Sequence, residues 1–359
     1  MPKNRKNLTL NSPVASLFEP HEDSKVSQPT ELPTKLPNRE PSIEAKFAAK
    51  RKAWAGNPEI LSTAHKIYLG DARLMPELGS DPAVHLVVTS PPYFNLIEYP
   101  DRPAGQQLGN LSDYDAFLAE LHKVWQRCFQ VLHPGGRLCV VVGDVCVSRK
   151  EAGRHYLLPL HADISRDCMR MGFDYLNPIL WSKIANAATE VKGNGATFLG
   201  KPYEPNAVIK NNVEYILIFR KSGGYRNPTK EQRELSVIDK ESHKKWFRQV
   251  WEDIPGQPRW RGHPAPYPVE LAYRLISMFS FVGDTVLDPF CGTATTIEAA
   301  IKAHRSSIGY EIEPEYMELS KSRFAGSKFD ASVLCVESQG PKPLNGNDGK
   351  VEELVAQHA

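Results

Sequence analysis

The chain has 359 residues, 41% of them hydrophobic, enough to bury a large core. Forty-four Lys and Arg against 42 Asp and Glu leave a net charge of +2, which excludes a globally basic polyanion binder and confines any such affinity to local patches. Six cysteines without a C-x-x-C pair argue against a zinc ribbon, so no metal is expected. The basic start lacks the apolar core of a signal peptide and no membrane span is visible, so the expected location is the reducing cytoplasm.

Residues 1–57 are rich in Pro, Ser, Lys and Glu and read as a disordered tail, with a short helix near 43–54. A strand at 65–69 delivers Gly70-Asp71, and a second at 84–89 delivers Ser90-Pro91-Pro92-Tyr93. The 3.6-residue periodicity of 111–132 predicts a helix, with Ser112 and Asp115 spaced as a capping box. His133-Pro134-Gly135-Gly136 should break the chain before a strand at 137–145, and a helix at 159–171 should close on Gly172. Segments 177–182 and 213–220 read as an antiparallel pair at one sheet edge. A helix at 269–281, a strand at 285–290, a helix from 297, a strand at 305–311 and a helix at 314–324 follow. This alternation predicts an α/β, Rossmann-like, doubly wound and mostly parallel sheet. The expected divisions are 58–221, a small insertion at 222–262, 263–325, and a polar tail at 326–359.

Two of these strands end in segments that carry chemistry, at the carboxyl ends where open α/β sheets bind ligands. Ser90-Pro91-Pro92-Tyr93 offers a hydroxyl, carbonyls that no local helix consumes, and an aromatic face. A planar ring bearing an amino group fits that set, although a plain proline turn is the alternative in a chain with 29 prolines. In the second segment, Asp288-Pro289-Phe290-Cys291-Gly292-Thr293 turns into a helix whose N-terminus favours polar ligands, and Glu311 ends the next strand at the spacing of a ribose-binding acid. The unit should hold a nucleoside. A nicotinamide dinucleotide is disfavoured because G-x-G-x-x-G is absent.

In this order, Ser90-Pro91-Pro92-Tyr93, His263-Pro264-Ala265-Pro266-Tyr267-Pro268 and Asp288-Pro289-Phe290-Cys291-Gly292 resemble the S-adenosylmethionine-dependent DNA amino-methyltransferases of the β group, over about residues 66–324. The resemblance implies a circularly permuted methyltransferase order, S-adenosyl-L-methionine as cofactor, double-stranded DNA as substrate, and a cognate restriction endonuclease as partner. It implies that Ser90, Pro91, Pro92 and Tyr93 are catalytic, and that Asp288, Phe290, Gly292 and Thr293 surround the cofactor. Glu311 would bind the ribose, Asp71 the adenine amino group, and His263, Pro264, Pro266 and Tyr267 would border the methionine end. Ala294 stands where the family usually has a second glycine; if φ is positive there, its Cβ costs on the order of 1 kcal/mol. Serine at the head of the motif is more typical of cytosine-N4 enzymes, and aspartate of adenine-N6 enzymes. Both remain open, as does a DNA-binding protein that has lost turnover. Cytosine-C5 chemistry is disfavoured because no Pro-Cys dipeptide supplies the nucleophile.

Residues 220–261 hold eleven Lys or Arg against six Asp or Glu, with Tyr225, Trp246, Phe247, Trp251 and Trp260 interleaved. This pattern suits phosphate contacts and base stacking, with Arg226, Lys244, Lys245, Arg248, Arg259 and Arg261 as DNA contacts. A solvated face anchored by its tryptophans is the alternative. The Gly-rich loop 185–212 is a second candidate for covering DNA or cofactor.

Overall fold

The structure, a computed structural model, describes residues 52, 62–94, 107–182, 198–199, 201, 205–206, 208–209, 211–256, 267–325 and 332–338. The N-terminal tail and its helix (Lys52 apart), much of the 185–212 loop, and Arg259, Arg261, His263, Pro264 and Pro266 lie outside the described residues.

The strands are β1 (His65–Leu69), β2 (Val84–Thr89), β3 (Leu132–Val142), β4 (Val145–Val147), β5 (Tyr156–Leu158), β6 (Phe173–Ser182), β7 (Phe198–Leu199), β8 (Val208–Ile209), β9 (Val213–Lys221), β10 (Val250–Trp251), β11 (Thr285–Asp288), β12 (Ser306–Glu311) and β13 (Val333–Glu337). The helices are α1 (Tyr114–Val131), α2 (Arg149–Ala152), α3 (Leu160–Arg170), α4 (Lys230–Leu235), α5 (Lys240–Trp246), α6 (Val269–Phe279), α7 (Thr295–Lys302) and α8 (Pro314–Phe324). Nine strands form one sheet in the order β10-β6-β9-β3-β2-β11-β12-β1-β13, parallel except for β9. β4 pairs with β5 and β7 with β8 in separate antiparallel hairpins.

Both faces are covered, as a parallel sheet requires. Val87 of β2 joins a core with Phe117, Leu121 and Trp125 of α1, while Leu86 and Val88 join Leu271 and Leu275 of α6 on the other face. A third cluster packs Ile297 of α7 against Ile67 and Met317. From the centre, the chain leaves β2 through α1 towards β3, and leaves β11 through α7 towards β12 on the opposite side. That divergence opens a crevice at the carboxyl ends of β2 and β11.

Several expectations need correction. Asp113, not Ser112, caps α1, its carboxylate accepting the Ala116 N–H at 2.7 Å, because the helix starts three residues late. His133 to Gly136 do not separate helix from strand. They lie inside β3, where Gly135 at φ +78° accompanies an irregular register against β2, and β3 ends at Val142. The antiparallel pair β6 and β9 is present, but β9 is interior and β10, drawn from the expected insertion, forms the sheet edge. Residues 333–337, assigned to a polar tail, pair in parallel with β1 and form the other edge.

Gly309 in β12 allows the loop after β11 to lie against the sheet: a Cβ there would sit 2.5 Å from Cys291 Sγ and 3.0 Å from its Cβ. Gly309→Ala should therefore destabilise the protein by roughly 1–3 kcal/mol. Adding Cys291→Ala should recover part of that loss. Urea unfolding of the two single variants and the double variant checks the coupling, which additive effects would disprove.

Candidate active site

One cleft, with an open mouth, lies at the crevice. Ser90, Pro91, Pro92 and Tyr93 line one side, Gly70, Asp71, Glu311 and Ile312 another, and Pro289, Phe290, Gly292 and Thr293 the floor turn, with Tyr267, Gln107 and Tyr316 completing the wall. The structure thus brings together the two segments that the sequence singles out, about 200 residues apart, because β2 and β11 are neighbours.

Asp288 does not line this cleft, contrary to expectation. It is buried beneath it, 1% exposed. One carboxylate oxygen accepts Thr89 Oγ1–H at 2.7 Å and the Phe290 N–H at 3.1 Å; the other accepts Tyr267 OH at 3.1 Å and the Thr296 hydroxyl. Burial still holds this carboxyl above its usual pKa, against the pull of its donors. Asp288 therefore fixes the turn above it, joining β2, the segment before α6, and the first turn of α7. In that turn Gly292 has φ +53° and Ala294 φ +64°, so the residue replacing the expected glycine does occupy the left-handed region.

Glu311 faces the cleft at the end of β12. It accepts the Gly292 N–H at 2.7 Å and the Glu313 N–H at 2.8 Å, and burial pushes its pKa up to about 7. With the Ile312 N–H also acting on it, the carboxylate still keeps a lone pair for a ligand hydroxyl. Asp71 is tied up instead: its carboxylate receives the Arg73 guanidinium and backbone N–H, and Arg73 also binds Glu120. The expected contact from its side chain to an adenine amino group has a competitor built into the loop.

On the target side, Tyr93 is 8% exposed and its OH donates to Glu214 Oε1 at 2.9 Å, which fixes the ring beside the Pro-Pro backbone. Glu214, on β9, was not foreseen, nor were Gln107 and Tyr316; Gln107 donates to Glu313 at 2.9 Å. None of these carries a local sequence signal, since each comes from a separate element, Gln107 and Tyr316 to the cleft wall and Glu214 to Tyr93.

The basic segment is only partly where it was expected. Arg226 forms an ion pair with Asp284 at the amino end of β11, opposite the cleft, and its guanidinium lies 5.4 Å from the Phe281 ring. That sets it away from the cleft beside which a DNA contact was expected. Trp246 and Trp251 are core residues, the Trp251 indole donating to the Trp246 carbonyl at 2.9 Å. Lys244, Lys245 and Arg248 are exposed near the β10 edge, with Lys245 2.8 Å from Asp253 and Lys244 3.3 Å from Glu241. β10 is four positions from β2 in the sheet, roughly 19 Å at the usual strand spacing.

The cleft chemistry suits a nucleoside carrying an amino-acid tail. It combines a strand-end carboxylate, the aromatic and aliphatic walls of Phe290 and Ile312, and a tight turn of small residues that exposes its backbone.

Comparison with known proteins agrees. Residues 84–322 match the DNA methylase family of N6 and N4 methyltransferases. The chain is 40% identical over 277 residues to the type II methyltransferase M.MjaI of Methanocaldococcus jannaschii, spanning 70% of this chain and 88% of that protein. It is 38% identical over 283 residues to M.MthZI of Methanothermobacter thermautotrophicus, spanning 73% and 77%. Among solved structures, a protein of Thermus thermophilus described as a DNA modification methylase and solved with S-adenosyl-L-methionine aligns with a TM-score of 0.62 at 48% identity, covering 76% of this chain and 98% of that one. The cytosine-N4-specific PvuII DNA methyltransferase shares the fold, with a TM-score of 0.51 at 20% identity over 75% and 89%. The chain belongs to the DNA methylase family. It is a β-group DNA amino-methyltransferase that uses S-adenosyl-L-methionine.

Two measurements test the site. Asp288→Ala takes the acceptor from four donors and leaves Tyr267 OH and the Thr296 hydroxyl only each other; at about 1–3 kcal/mol for each buried donor orphaned, the variant should lose about 2 kcal/mol or more in urea unfolding, and a loss under about 1 kcal/mol would remove Asp288 as the site's anchor. Glu311 has a raised pKa, so the folded state holds its proton more tightly than the unfolded chain. Wild-type stability relative to Glu311→Gln should therefore fall between about pH 4.5 and 7, by on the order of 3 kcal/mol, and level off above. A constant difference across that window would contradict the buried titration.

Proposed function

We propose that this chain methylates the N4 amino group of cytosine in double-stranded DNA. The observation that carries the reading is Ser90: a hydroxyl, not a carboxylate, heads the motif at the end of β2, in the same cleft as Phe290, Gly292, Thr293 and Glu311. Those four, with Tyr267, would hold S-adenosyl-L-methionine, while Asp288 fixes their turn from below. When bound, the cofactor supplies an electrophilic methyl group on a sulfonium.

The rest is done by the protein. An exocyclic amino nitrogen is a weak nucleophile because its lone pair is delocalised into the ring. Ser90 Oγ and the Pro91 carbonyl accept its two N–H bonds, drawing the lone pair out of conjugation and favouring the charge that develops on nitrogen. Pro92 keeps the backbone extended, and Tyr93 stacks on the base. Since the amino group is inaccessible to such a pocket inside a duplex, the base must be flipped out. No covalent enzyme intermediate is required.

Relatives named as type II methyltransferases support a pairing with a restriction endonuclease that cuts the same sequence, and both would act on DNA in the cytoplasm. No helix among the described residues is long and apolar enough to cross a membrane.

Incubation with duplex DNA and labelled cofactor, followed by nucleoside analysis, should yield N4-methylcytosine. N6-methyladenine would assign the chain to the other branch, to which a 28%-identical relative, the DNA adenine methyltransferase YhdJ of Escherichia coli, belongs by name. Ser90→Ala should lower kcat roughly tenfold to a thousandfold with little change in cofactor affinity. Near-normal turnover in that variant would take Ser90 out of the mechanism.

A further inference from the structure

We propose that the β4–β5 hairpin, with α2 at its tip, is an arm that grips the DNA phosphate backbone beside the flipped base. Its base lies against the catalytic motif. β3 runs parallel to β2, and Gly143 follows it directly; a Cβ on Gly143 would stand 3.7 Å from the Tyr93 ring. The hairpin starts two residues later, so whatever enters beside Tyr93 passes next to it.

Two three-residue strands are too short to hold a shape alone. Here the base is clamped. Asp144 accepts a hydrogen bond from the backbone N–H of His161 at 3.3 Å and contacts its Nδ1 at 2.6 Å, tying the residue before β4 to the start of α3. The His161 ring stacks on Tyr215 at 3.9 Å, and Val145 is buried in the core.

Beyond the clamp, the arm is exposed and cationic. Arg149, Lys150 and Arg154 all face solvent, and none enters an ion pair among the described residues. The one acid between Ser148 and Leu158, Glu151, is held by the Ser148 N–H at 2.8 Å as part of a capping box. Tyr156 and Leu157 remain 36% and 43% exposed, and the Arg154 guanidinium sits 5.3 Å over the Tyr156 ring. Unpaired cations beside an exposed aromatic suit a sugar-phosphate backbone. By contrast, the larger basic segment commits Arg226 to the far end of the sheet and sets Lys245 against Asp253. The proposal rests on DNA as the substrate of this cleft.

The test is DNA affinity by fluorescence anisotropy on a labelled duplex between about 50 and 200 mM salt, for wild type and the variant Arg149→Ala, Lys150→Ala, Arg154→Ala. The variant's log-log slope should be shallower by about 1 for each phosphate no longer neutralised, and the KM for DNA should rise roughly tenfold or more. Cofactor affinity by calorimetry should be unchanged, showing an intact fold. Tyr156→Ala should weaken binding without altering the slope. An unchanged slope in the triple variant overturns the proposal, and a slope that flattens only on neutralising Lys244, Lys245 and Arg248 moves the contact to the sheet edge. Wild type that binds no DNA would remove the premise about the substrate, a failure visible before any variant is compared.

Discussion

Everything in the cleft rests on one buried carboxylate. Asp288 ties together the last residue of β2, a tyrosine from the segment before α6, the turn after β11 and the first turn of α7. A carboxylate with two oxygens can accept about four hydrogen bonds, and here four donors reach it. The catalytic motif and the cofactor turn are thus positioned by the same group. Neither can shift without the other, which suits a reaction that needs two bound partners in line.

The turn above it carries a small strain that neighbouring packing offsets. A Cβ in the left-handed region costs about 1–2 kcal/mol, and Ala294 sits there with no exposed surface. Its buried methyl contributes about 0.8 kcal/mol, and alanine loses less chain entropy than glycine by about 0.4–1 kcal/mol. These terms nearly cancel. The substitution of the expected glycine is therefore compatible with a working cofactor turn and gives no support to a protein that has lost turnover.

The two ends of the sheet have separate tasks. At the amino end, half-buried Arg226 pairs with buried Asp284 beside His85, whose ring burial keeps neutral by lowering its pKa to about 4. Such a pair fastens the chain between β9 and α5 to the body, and removing one partner would leave a buried charge alone. At the carboxyl end the strands release loops and a hairpin that stay open to a large substrate.

By itself the sequence determined the α/β class, most element positions and the residues of the two motifs. Buried parallel strands must be apolar throughout, amphipathic helices must repeat every 3.6 residues, and strand-end motifs are local. β1, β2 and α8 were legible to the residue, and Ser90 to Tyr93 and Gly292 were placed in the cleft where their motifs put them. What a side chain meets across the fold was not legible. Only tertiary structure decided that Asp288 lies under the cleft, that Asp71 is held by Arg73, that Glu214 pins Tyr93, and that Val333 to Glu337 extends the sheet. The same holds for charge. A count of lysines and arginines along 220–261 cannot tell a cation committed to a buried aspartate from one left facing solvent, because pairing depends on contacts between elements far apart in the chain.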